Sequence, residues 1–122
     1  MATVMIVDDS GYTRRTHRRI LESAGHTILE ADTGMAAIES YVMNRPDLVL
    51  LDLTMTDMSG LEVLEKLREI NADARVVVVS ADVQRSTAAL VADSGAMRFL
   101  GKPVAPAELL DTVRELLQDQ AS

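Results

Sequence analysis

Hydrophobic residues fall along this chain in short, nearly unbroken runs, separated by longer segments where they recur every three or four positions. The runs are Val4-Met5-Ile6-Val7, Leu48-Val49-Leu50-Leu51, Val76-Val77-Val78-Val79 and the shorter Met97-Arg98-Phe99-Leu100. Continuous β-branched and leucine runs of this length suit strands covered on both faces, as in a parallel sheet. A fifth, Thr27-Ile28-Leu29-Glu30-Ala31, alternates more and suits a less buried strand. Between them the helical period predicts helices over Tyr12–Ala24, Met35–Met43, Leu61–Ile70, Thr87–Ser94 and Ala107–Leu117. In the last of these Leu109, Leu110, Val113, Leu116 and Leu117 share one face. Gly25 and Gly95 stand where a left-handed residue stops a helix, and Ser59 and Ser86 are candidate caps. Strand and helix alternating five times predict a (βα)5 chain. Right-handed crossovers then make it a doubly wound α/β sandwich with a parallel sheet.

The polar residues that end the runs are the informative ones. The first run leads into Asp8-Asp9, the one at Leu48 into Asp52, the valine run into Ser80, and the last into Gly101-Lys102-Pro103. In a parallel sheet these exits share one edge, the edge where open α/β sheets bind ligands. Singly, each has an ordinary explanation: an aspartate as turn former, a serine as cap, a lysine before proline as solvated loop. Their convergence from four separated strands points to a site instead. Crowded carboxylates at Asp8, Asp9 and Asp52 repel one another and raise at least one pKa unless a cation joins them. Such hard oxygen ligands suit Mg²⁺. A carboxylate kept ionised in that company can act as a nucleophile toward phosphorus. Lys102 would add a point charge, Ser80 a hydrogen bond, and the backbone N–H groups after Asp52 further donors for phosphoryl oxygens.

Composition narrows the classes. The 122 residues suit one domain, 1–122, with a real core. A net charge of −7 argues against a direct nucleic-acid footprint, which needs a basic face. The absence of cysteine excludes disulfides and thiolate metal sites. Apolar runs fall far short of bilayer length and no signal-peptide h-region is present, so a cytoplasmic protein away from the membrane is expected.

At this point the motifs VDDS (Val7–Ser10), LLDLTMTDMSG (Leu51–Gly60), VVVVSAD (Val76–Asp82) and FLGKPV (Phe99–Val104) resemble those of a known family. It is the CheY-like receiver domain of two-component response regulators, and the resemblance covers essentially the whole chain. It implies a flavodoxin-like sheet of order 2-1-3-4-5. It also implies that Asp52 is the phospho-acceptor, and that Asp8, Asp9, Asp52 and the Thr54 backbone carbonyl hold Mg²⁺. Ser80 would be the switch hydroxyl, Phe99 the switch aromatic, and Lys102 the conserved-type lysine, followed by a cis peptide to Pro103. On its residues alone Phe99 is equally a core strand residue. The family commonly has proline where this chain has Thr56, which would loosen the loop after Asp52. Positions two past the acceptor and two past the switch hydroxyl tune phosphoryl lifetime in the family; here they are Thr54 and Asp82.

The function so implied is a phospho-accepting switch rather than an enzyme, with self-catalysed phosphotransfer and autodephosphorylation. The phosphoryl group would come from a histidine kinase or phosphotransfer protein. It would pull Ser80 inward, release space for Phe99, and bias the surface of the fourth helix, fifth strand and fifth helix toward an effector protein or output domain. On the first predicted helix, Thr13, Ile20, Leu21 and Ala24 form the expected apolar face. That leaves Arg14, Arg15, Arg18 and Arg19 as a solvated face or a kinase-docking patch, with His17 on the surface. Two rival functions remain at this stage. One is a small aspartyl-phosphate phosphatase, which would usually need a second acid where Thr54 stands. The other is a receiver acting as a phosphorylation-independent interaction module. The span from Met1 to just past the last helix suits a stand-alone receiver and equally a domain of a longer regulator. Arg98, basic just before the switch aromatic, disfavours one known receiver dimer. A monomer is therefore expected, with phosphorylation-linked dimerisation as the alternative.

Overall fold

The computed structural model describes residues 2–55, 57–82 and 84–118. Their hydrophobic runs become strands: β1 (Thr3–Val7), β2 (Thr27–Ala31), β3 (Leu48–Asp52), β4 (Val76–Ser80) and β5 (Arg98–Gly101). Helices α1 (Gly11–Ser23), α2 (Gly34–Asn44), α3 (Gly60–Ile70), α4 (Arg85–Asp93) and α5 (Pro106–Gln118) alternate with them. All strand pairs are parallel, in the order β2-β1-β3-β4-β5. β3, β4 and β5 run one residue further at their carboxyl ends than the apolar letters alone suggest. Thus Asp52 and Ser80 are themselves the last residues of β3 and β4.

Alternation along the strands divides the core in two. Val4, Ile6, Leu48, Leu50, Val77 and Val79 face one layer with Leu21 of α1 and Leu109, Val113 and Leu116 of α5. Met5, Val7, Val49, Leu51 and Val76 face the other, with Ala37 and Tyr41 of α2 and Val63, Leu64 and Leu67 of α3. β3 and β4 are buried along their whole length, which is why they read as unbroken apolar runs.

The helix ends show where local chemistry acts. Ser59 and Glu62 form a reciprocal capping box at the start of α3. Gly25 and Gly95 take positive φ angles of 92° and 100° just past α1 and α4, as expected of left-handed stops. Ser86, in contrast, is no cap: it lies inside α4, whose N-cap is Gln84. The helix starts earlier because the Asp82 carboxylate reaches forward to its first turn. The buried stripe of α1 also differs from the expected face. His17 and Leu21 are buried, Thr13 and Ile20 are half-buried, and Ala24 is exposed. His17 is thus not a surface residue: four residues from both Thr13 and Leu21, it lies on the buried face of α1. Arg15 and Arg19 point to solvent. Arg14 and Arg18 are half-covered and share Glu30 of β2, at 3.0 Å and 2.6 Å. No helix among the described residues is long and apolar enough to cross a membrane.

Candidate functional site

The carboxyl ends of β1, β3, β4 and β5 deliver the predicted residues to one edge. Asp8 and Asp9 follow β1, Asp52 ends β3, Ser80 ends β4, and Lys102 follows β5. Asp8, Asp9 and Asp52 each offer a carboxylate oxygen, and these oxygens lie within 4.8 Å of one another. Asp8 and Asp52 are buried whereas Asp9 is exposed, so the cluster opens to solvent on the Asp9 side. A donor set made only of carboxylate oxygens fits a hard divalent cation and not a thiophilic one.

Each acid is held by its own partners. Asp8 Oδ1 accepts the Ser10 N–H at 2.9 Å, and its Oδ2 accepts from Lys102 Nζ at 2.8 Å. Its backbone carbonyl accepts from Arg14 Nη1 at 2.6 Å, which ties α1 to the end of β1. Asp52 Oδ1 accepts the Thr54 N–H at 3.3 Å, while Oδ2 has Lys102 Nζ at 3.6 Å. Burial pushes the Asp52 carboxyl above the ordinary carboxylate range, opposed by the charge of Lys102 and reinforced by those of Asp8 and Asp9. Lys102 reaches these acids because its own backbone N–H is fixed to the Ser80 carbonyl at 2.9 Å. The peptide between Lys102 and Pro103 is cis, as the motif led us to expect.

Ser80 is almost fully buried, and its hydroxyl accepts the Asp82 N–H at 3.0 Å. Asp82 is exposed, and both its carboxylate oxygens turn to α4: Oδ1 accepts the Gln84 N–H at 3.1 Å and Oδ2 the Thr87 hydroxyl at 2.8 Å. Phe99 is half-buried and pairs in register with Val78, on the same sheet face as Ser80 two residues on. Thr56 lies outside the described residues.

Three residues near the site take roles that the sequence did not assign to them. Arg14 contacts Asp8 from one turn along α1. His17 lines a groove of roughly 470 Å³ together with Tyr12, Thr13, Thr16, Lys102 and Pro103. Its burial holds the imidazole pKa below the usual value, with Asp8 opposing and Lys102 adding to the effect. Asp57 caps α2 from across the β3–α3 loop. The Arg14 and Asp57 contacts are pairings that neither periodicity nor motif spacing encodes, whereas the burial of His17, four residues from both Thr13 and Leu21, follows the helical period.

Comparison with known proteins agrees with this architecture. The family model for the response regulator receiver domain matches residues 4–114. The chemotaxis protein CheY of Bacillus subtilis is 34% identical over 115 residues, covering 93% of this chain and 96% of that one. A CheY-like receiver domain protein from Methanospirillum hungatei superposes with a TM-score of 0.94 at 26% identity, covering 99% of this chain and 97% of that one. The CheX–CheY–BeF3–Mg²⁺ complex from Borrelia burgdorferi gives a TM-score of 0.90 at 32% identity, covering 94% of this chain and 88% of that one. Since the match runs from the first strand into the last helix, and whole relatives align nearly end to end, the chain belongs to the response regulator receiver domain family of two-component systems.

Proposed function

We propose that Asp52 accepts the phosphoryl group of a two-component phosphorelay. The observation that carries this reading is the cluster of Asp8, Asp9 and Asp52 oxygens within 4.8 Å, closed on one side by the Lys102 ammonium. Of the three acids, Asp9 is exposed and Asp8 is bonded through both oxygens; Asp52 is the buried one whose Oδ2 has only the longer lysine contact. That oxygen attacks phosphorus of a phosphohistidine in a histidine kinase or phosphotransfer protein. The P–N bond breaks as the P–O bond forms, and the leaving imidazole takes up a proton. Hydrolysis later cleaves the acyl phosphate with water, returning Asp52 and inorganic phosphate. The first step places the phosphoryl group on the protein's own Asp52 and the second removes it, so the protein acts as a self-catalysed switch rather than as an enzyme on a free substrate.

Asp8, Asp9, Asp52 and the Thr54 carbonyl would hold Mg²⁺, which neutralises phosphoryl charge when bound. Lys102 supplies a fixed positive charge beside the acceptor oxygen. The Ser80 hydroxyl, which accepts the Asp82 N–H at rest, donates its own proton to a phosphoryl oxygen, and Phe99, on the same face, moves with it. A receiver surface biased by typical coupling energies shifts partner affinity by about 5–150-fold. The α4-β5-α5 face then binds an effector protein or output domain. Asp82 tunes phosphoryl lifetime through its hold on α4, with Thr54 as the second tuning position. The donor docks along α1, where Arg15 and Arg19 are exposed beside the groove floored by His17. Acid charge, missing cysteine and short apolar segments suit a cytoplasmic protein that binds neither nucleic acid nor membrane, and Arg98 before Phe99 favours a monomer over a phosphorylation-linked dimer. Peptide mapping after incubation with acetyl phosphate and Mg²⁺ tests the assignment: label on the peptide carrying Asp52 supports it, and label on Asp8 or Asp9 contradicts it.

A further inference from the structure

The loop that carries Thr54 is fastened to α2 by a side chain the proposed chemistry does not use. Asp57 is exposed, yet its Oδ1 accepts the Gly34 N–H at 2.9 Å and its Oδ2 accepts the Met35 N–H at 3.0 Å. These are the first two amides of α2, which have no acceptor within the helix. The N-cap Thr33 takes the third, the Ala36 N–H at 3.0 Å. A carboxylate is favoured at this positive end of the helix dipole, and the two amides hold the Asp57 carboxyl below its usual range.

Apolar packing repeats the connection. Met58 lies so close over Gly34 that a Cβ there would overlap its Cγ and Sδ atoms. At the base of the loop, the Gly60 N–H donates to the Leu53 carbonyl at 3.0 Å. A Cβ on Gly60 would overlap Leu53 Cα and the Asp52 carbonyl oxygen, so the loop folds directly back onto the end of β3. Thr54 sits between these fastenings, with its own N–H on Asp52 Oδ1. Its path is set by Asp52 on one side and by α2 on the other.

We propose that Asp57 is a positioning residue of the phospho-acceptor site: by clamping the β3–α3 loop onto the first turn of α2, it aims the Thr54 carbonyl at the cation. The inference rests on the reading above that Asp8, Asp9, Asp52 and Thr54 hold Mg²⁺. A loop freed from α2 must be ordered when the cation binds, and that entropy is subtracted from affinity. Because coupling is reciprocal, cation binding in turn tightens the start of α2.

Mg²⁺ titrations followed by calorimetry and by amide NMR test this in the unmutated protein, Asp57→Ala, Asp57→Asn and Thr33→Ala. Thr33→Ala removes a cap from the same helix without touching the loop, and so separates helix fraying from loop positioning. Asp57→Ala is expected to weaken Mg²⁺ binding about 10-fold, the low end for residues that orient a metal ligand. Asp57→Asn keeps one acceptor oxygen and should lose less, while Thr33→Ala should bind as the unmutated protein does. Mg²⁺ should shift the Gly34 and Met35 amide resonances in the unmutated protein and leave them unmoved in Asp57→Ala. Equal Kd values for Asp57→Ala and the unmutated protein would overturn the proposal, as would equal losses in Asp57→Ala and Thr33→Ala. No Mg²⁺ binding by the unmutated protein would remove the site reading beneath it as well.

Discussion

Lys102 Nζ bridges two carboxylates and lies nearer the one that is not the proposed acceptor: 2.8 Å from Asp8 Oδ2 against 3.6 Å from Asp52 Oδ2. The ammonium therefore neutralises the acidic pocket at rest while leaving the Asp52 oxygen the less encumbered of the two. In Lys102→Met the positive charge that meets the incoming phosphoryl group is gone. Phosphorylation by acetyl phosphate should slow about 100–1000-fold, the loss typical of one fixed electrostatic donor. Mg²⁺ binding should survive or tighten, because a competing cation has left the cluster. Loss of Mg²⁺ binding together with phosphorylation would show a collapsed site instead of a missing charge.

Asp52 bears the cost of its place. Its folded pKa lies above the unfolded value, so the native state holds the proton longer, and the group's contribution to stability falls as pH rises through that window. Asp52→Asn removes the buried charge. In Mg²⁺-free buffer at pH 7 it should be more stable than the unmutated protein by about 1 kcal/mol, on the scale of one poorly compensated buried polar group. Urea midpoints should converge as pH falls and the native carboxyl takes its proton. An Asp52→Asn variant less stable at every pH would contradict this.

His17 should give a second pH signature of opposite sign. Burial lowers its folded pKa below 6.5, so the unfolded chain binds more protons below that pH. Stability is full above the unfolded value and falls as pH drops from there toward the lowered folded value. His26 is also lowered by burial and shares the slope. His17→Leu should remove its part of the decline between roughly pH 7 and 5 in thermal melts, the unperturbed histidine range. An unchanged slope in that variant would mean His17 does not carry it.

Asp82 holds Gln84 and Thr87 at the start of α4 while its N–H rests on the Ser80 hydroxyl. Asp82→Ala should cost about 1 kcal/mol of stability, as for other helix caps. It should also change the rate of autodephosphorylation, read as loss of the phosphorylated mass with time. A destabilised variant with an unchanged rate would leave Asp82 as a cap only.

The fold was legible because the central strands β1, β3 and β4 are buried enough to be written in consecutive apolar letters, Val76 to Val79 most plainly. The site was legible because Asp8, Asp9, Asp52, Ser80 and Lys102 sit at strand exits, where parallel topology converts sequence spacing into proximity. What escaped the sequence depended on a polar residue within an apolar stripe or on distant pairing. His17 lies one turn from both Thr13 and Leu21 and is buried beside Leu21, although its polarity suggested the surface. The start of α2 is held by Asp57, a loop residue beyond β3, together with its N-cap Thr33. Ser86 looked like a cap because serine often is one. The N-cap is instead Gln84, whose N–H the Asp82 carboxylate accepts from four residues before Ser86.

The central claim is that Asp52 takes a phosphoryl group when a divalent cation is present. Intact-mass measurement after incubation with acetyl phosphate, with and without Mg²⁺, tests it most directly when Asp52→Asn is run beside the unmutated protein. The account predicts one added phosphoryl group on the unmutated protein, dependent on Mg²⁺ and absent from Asp52→Asn. No added mass on the unmutated protein, or equal labelling of Asp52→Asn, would contradict it.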